Sequence, residues 1–108
     1  MGTVRWDAGR YGKNRGNGAG TVIGEFYSSG NHTSSNAAAG NITDGAAGAG
    51  DEVTFPIGVV LRITCDELAR VVIGGGTATA TSGFLLQPDV ARDIEIVAAG
   101  KVSIIDEA

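Results

Sequence analysis

Val59-Val60-Leu61-Arg62-Ile63-Thr64, Arg70-Val71-Val72-Ile73 and Val102-Ser103-Ile104-Ile105 decide the fold class of this chain. Each run is short, rich in β-branched residues and bounded by Gly, Pro or Asp, which is a strand signature. Over residues 61–64 and 94–96 apolar and polar positions alternate, so one face of each strand is charged and the other aliphatic. Val53-Thr54-Phe55-Pro56-Ile57, Thr77-Ala78-Thr79-Ala80-Thr81 and Gly83-Phe84-Leu85-Leu86 read as further short strands, with Gly74-Gly75-Gly76 as a turn. Ala99-Gly100 would join the last two strands as a tight hairpin if they pair in sequence. Helix is limited to one turn at Asp66-Glu67-Leu68-Ala69, capped by Asp66 or Thr64. The expected fold is all-β: a small antiparallel sandwich or barrel-like domain over residues 51–108.

Residues 1–50 have a different composition. They hold 12 of the 18 glycines, in tracts such as Gly16-Asn17-Gly18-Ala19-Gly20 and Asp44-Gly45-Ala46-Ala47-Gly48-Ala49-Gly50. Such chain buries too little apolar surface to offset its own backbone entropy. The expectation is a long Gly-rich extended N-terminal arm with one short strand near 21–27. Charge divides the halves as well. Residues 1–24 carry Arg5, Arg10, Lys13 and Arg15 against Asp7, a net of +3, and the remainder carries −7. A basic arm on an acidic body is suited to docking on an acidic surface.

Several chemistries are excluded or weak. One cysteine and one histidine rule out a disulfide framework, a cysteine zinc cluster and a multi-histidine metal site. No cofactor or metal is expected. No apolar run approaches the roughly 18 residues of a membrane helix, and a net charge of −4 argues against general nucleic-acid binding. Gly16–Gly20 lacks the preceding strand and closing Lys-Ser/Thr of a phosphate loop. Cys65 sits beside Asp66 and Glu67, which raise a thiol's pKa rather than activate it. His32 has only serines in glycine-rich chain around it, so no fixed nucleophile–base pair is expected. No enzymatic role is expected. The cations at the start of the chain interleave with aromatic residues, as protein interfaces do. The candidate interface residues are therefore Arg5, Trp6, Arg10, Tyr11, Val22, Ile23, Phe26 and Tyr27.

The second half also carries a family resemblance. A threonine/alanine run leads into Ser82-Gly83-Phe84-Leu85-Leu86-Gln87-Pro88, and the chain closes on Ala98-Ala99-Gly100-Lys101-Val102-Ser103-Ile104-Ile105. With Asp44-Gly45-Ala46-Ala47, this cadence over residues 44–108 resembles the lambda-type capsid decoration, or cement, proteins of tailed phages. The resemblance implies a non-enzymatic virion protein that binds the major capsid protein or other virion proteins, commonly as a homotrimer. Two alternatives stand beside it: a head-fibre base, neck or tail component of the same particle, and a small ligand- or carbohydrate-binding β module. The last requires exposed aromatics on the β body, where Phe55 and Phe84 both read as buried.

Overall fold

The alternation in the sequence builds two sheets around one core. A computed structural model describes residues 2–11, 23–44 and 51–107. In β1 (Thr3–Tyr11), Val4, Trp6 and Ala8 are buried while Thr3, Arg5 and Asp7 are exposed. β1 lies between β2 (Ile23–Thr33) and β5 (Val60–Cys65), and β8 (Arg92–Glu95) completes an antiparallel sheet of order β2-β1-β5-β8. The second sheet contains β3 (Gly40–Asn41), β10 (Ser103–Asp106), β6 (Ala69–Val72) and β7 (Phe84–Leu86), antiparallel in that order. A two-residue ladder joins β4 (Thr54–Phe55) to β9 (Gly100–Lys101). The described residues contain no helix.

Both inner faces feed one cluster. Val4, Trp6, Leu61, Ile63 and Ile94 from the first sheet meet Ala69, Val71, Leu86 and Ile104 from the second. Each fully buried aliphatic side chain contributes on the order of 1.5–3 kcal/mol. The segments 40–44 and 51–55 add Ile42 and Phe55, both fully buried. They are tied in by Ile42 N–H to the Val102 carbonyl (2.9 Å) and Val53 N–H to the Ile42 carbonyl (3.2 Å). Phe55 meets Trp6 edge-on, with ring centroids 5.2 Å apart and planes at 72°, a favoured aromatic geometry. The Trp6 indole N–H donates to the Thr43 carbonyl at 2.9 Å, so its one polar atom is satisfied where it is buried.

The all-β antiparallel class holds, but the division of the chain differs from the expectation. Among the described residues, 1–50 do not form a separate arm: β1 is an interior strand, and Val4, Trp6 and Ala8 belong to the core. The physical reason lies in Thr3-Val4-Arg5-Trp6-Asp7-Ala8, a strict polar/apolar alternation that the glycine content of the whole half obscures. β2 runs beyond the expected strand at 21–27, because β1 pairs with it in register as far as Thr33. The last two strands do not form a hairpin: β8 pairs with β5 and β10 with β6 and β3, so residues 96–102 cross between sheets. Residues 77–81 supply a single bridge, Thr79 to Ser82, rather than a strand. At Asp66-Glu67 the chain makes a bend, with the Asp66 carboxylate accepting the Thr3 N–H at 2.7 Å. The glycine tract 16–20 and Val22 lie outside the described residues.

Candidate interaction surface

The outward side chains of the first sheet form a polar face. Register places Arg5 opposite Thr64 and Asn31, and Asp7 opposite Arg62 and Ser29. Arg62 in turn faces Asp93, which it binds through two hydrogen bonds of 2.8 and 3.1 Å. Those bonds hold the Asp93 carboxyl below its usual range. A hollow of about 290 Å³ opens on this face between Arg5, Asp7, Ser29, Asn31, Arg62 and Thr64. Another of about 210 Å³ continues from Arg5 and Thr64 to Thr3, Asp66 and Asp89. Arg5 belongs to both, and its guanidinium has no hydrogen-bonded or ion-paired partner among the described residues.

The rim of this face is β2, the edge strand of the sheet among the described residues. Gly2 and Ser34 exchange both backbone hydrogen bonds, at 3.3 and 2.9 Å. Alternation along an antiparallel ladder then assigns the inward-bonding pairs to Val4–His32, Trp6–Gly30 and Ala8–Ser28. Thr33, Asn31 and Ser29 turn their backbone groups away from β1. The Asn31 carbonyl indeed accepts from the Thr43 hydroxyl at 3.2 Å. Segment 43–44 crosses the inner side here, so closely that a Cβ on Gly30 would fall 2.5 Å from the Thr43 carbonyl oxygen. Beyond Gly30 the register slips at Tyr27, a bulge that places Phe26 opposite Gly9 on the outer face. Phe26 is 72% exposed. Past the bulge, Ile57 and Val97 are 62% and 64% exposed, at the same end of the sheet.

The eight candidate residues divide. Arg5 is exposed on the outer face, and Phe26 is the most exposed large apolar residue described. Tyr27 is exposed, its ring 6.4 Å from that of Phe55 and its hydroxyl donating to the Thr54 carbonyl at 3.4 Å. Arg10 is half-buried, with its guanidinium against Gly58. Tyr11 and Ile23 are opposite each other at the end of the β1–β2 ladder. Trp6 is the correction: it is 4% exposed and packs in the core, so it anchors the sheet and not a partner. Sequence reading missed Ser29 and Asn31, whose small polar side chains carry no strand signal. It also misjudged Phe84, which is 40% exposed at the side of the two-sheet stack, with the Arg92 guanidinium 4.9 Å above its ring.

The remaining titratable groups are held by neighbours in the fold. The buried Asp106 carboxylate accepts the Gly2 N–H at 3.0 Å and the Ser34 hydroxyl, and Cys65 Sγ lies 4.0 Å away. A Cβ on Gly2 would come within 2.5 Å of Ser34 Oγ and 2.7 Å of Cys65 Sγ, so only glycine fits. Burial pushes the Cys65 thiol up, away from the thiolate a nucleophile needs. Burial also lowers the His32 imidazole, against the opposing pull of Asp106 and Glu52. Glu52 is held low by Lys101 at 2.9 Å and Asn41 at 3.3 Å. Among the described residues no three His, Cys, Asp or Glu side chains are grouped to hold a metal ion. The chain matches no protein-family model, no curated protein sequence and no solved structure.

Proposed function

We propose that this chain is a non-enzymatic structural protein of a phage particle, decorating or cementing the capsid shell through its β1–β2 end. The observation that carries the reading is the long edge strand β2 beside an outer face with an exposed Phe26 and an Arg5 that has no partner among the described residues. Exposed aromatic and arginine side chains are what protein interfaces use. The resemblance of residues 44–108 to capsid decoration proteins supplies the setting, the virion, and the partner, the major capsid protein. Three copies on a local threefold axis would multiply a weak single contact by effective concentration.

The test mixes the purified chain with capsid shells of the phage that encodes it and measures the bound fraction after sedimentation. Saturable binding, with density on local threefold axes by electron microscopy, is the expected result. Density on a sixfold or twelvefold axis would move the protein to the neck, tail or fibre base, and no binding would remove the reading. Phe84 with Arg92 above its ring favours a second reading, a small ligand-binding β module. That reading requires a saccharide array to show binding lost on Phe84→Ala.

A further inference from the structure

The edges of the two sheets are unequal. β3 has 2 residues and β7 has 3, while β8 has 4, of which Arg92, Asp93 and Glu95 are charged. β2 has 11 residues, Ile23–Thr33, with no Lys or Pro among them and a single carboxylate, Glu25, at its far end. Short strands, charge and proline are the usual protections of an edge. Among the described residues two features interrupt β2: Thr43 occupies the Asn31 carbonyl, and bulges interrupt its register with β1. Among the described residues nothing pairs with this edge between Phe26 and Ser29, and the outward N–H and C=O of Ser29 meet no described residue.

We propose that this edge takes an extended, carboxylate-bearing segment of a partner protein as a fifth strand. The strand form follows from the backbone groups at Ser29, which a β-strand satisfies. The charge follows from Arg5, whose guanidinium has no partner among the described residues and faces the hollow that Ser29 and Asn31 border on one side and Asp7 on another. The added strand would run two strand spacings from β1, about 9.6 Å, a span that arginine and glutamate side chains bridge together. Phe26 sits in the Gly9 row, four residues along β1 from the Arg5 row. The partner segment therefore carries its carboxylate and an apolar side chain four positions apart, on one face. The identity of the partner as a shell protein rests on the reading above; the chemistry of the segment does not.

The experiment pans a random dodecapeptide display library on the purified full chain and repeats it with Ser29→Pro and Arg5→Ala. Proline at Ser29 removes an outward N–H without touching the β1 ladder, and circular dichroism checks that the sheets persist. The wild-type chain is expected to enrich peptides with Asp or Glu four positions from an aromatic or aliphatic residue. Ser29→Pro should cut their capture at least tenfold, and Arg5→Ala should abolish the preference for acid. If Ser29→Pro disturbs the fold, alternate-position backbone N-methylation of an enriched peptide reads the same bonds on the wild-type chain, and should likewise cut binding tenfold. No enrichment, or enrichment indifferent to the backbone change, overturns the proposal. So does a dimer of the free chain that Ser29→Pro disperses, because the edge would then hold a second copy. Shell binding that survives Ser29→Pro removes this inference and leaves the decoration reading. Peptide capture without shell binding does the reverse.

Discussion

β2 and β5 flank the same strand, and they are built from opposite kinds of residue. β5 is Val60-Leu61-Arg62-Ile63-Thr64-Cys65, a strand by its own alternation, paired on both sides and sealed by the core. β2 passes through Ser28-Ser29-Gly30-Asn31-His32, which has little strand propensity. It is extended because β1 offers it a ladder and because segment 40–44 lies against its inner side at Gly30 and His32. One neighbour of β1 therefore brings stability to the sheet, and the other takes order from it. That asymmetry leaves β2 with backbone groups to offer a partner.

The sharpest way to break the comparison is Trp6→Ala. Trp6 stands on the strand the two neighbours share and fills the space under Phe55. Its truncation should cost about 3–5 kcal/mol, read as a fall in the urea midpoint of the whole protein. An unchanged midpoint would mean that β1 and β2 are separable from the rest. Next in size, Ile63→Ala on β5 should cost about 2–5 kcal/mol, whereas Ser29→Ala on β2 should stay within about 0.5 kcal/mol. Equal costs would erase the distinction between the two strands. Gly30→Ala tests a tight point on β2. With the Thr43 carbonyl in the way, crowding should cost about 1–3 kcal/mol, and the Trp6 hydrogen bond to that carbonyl should show it as altered tryptophan fluorescence.

Smaller effects come from charge. His32 on β2 has its imidazole lowered by burial. A histidine with a lower pKa folded than unfolded binds more protons when unfolded, so it contributes its full stability above about pH 6.5 and loses it on acidification below that value. The melting temperature should fall between pH 7 and 5, and His32→Gln should flatten that slope. On the β5 side, Asp93 is lowered by Arg62. Its contribution is present above about pH 4 and lost on acidification through the folded value. Both partners are about half exposed, so Arg62→Ala should shift stability by less than about 1 kcal/mol.

The aliphatic strands were legible in advance because their signal is local: residues 61–64, 70–72 and 103–105 alternate or cluster β-branched residues wherever they are read. β1 had the same signal in Val4, Trp6 and Ala8, but the glycine average around it pointed to an arm. At the candidate surface, Arg5 and Phe26 stood out as residue types. Ser29 and Asn31 did not, because what they contribute is backbone, and every residue has that.

By itself, the sequence of this protein determined that strands form and that charge lies at the start of the chain. Period-two alternation and the placement of ionised side chains are properties of neighbours along the chain. Tertiary structure decided which strands pair, that residues 96–102 cross between sheets, that Trp6 faces inward and that β2 is left at an edge. Pairing depends on which apolar faces can be buried together, and that is a property of the whole chain once it has closed on itself.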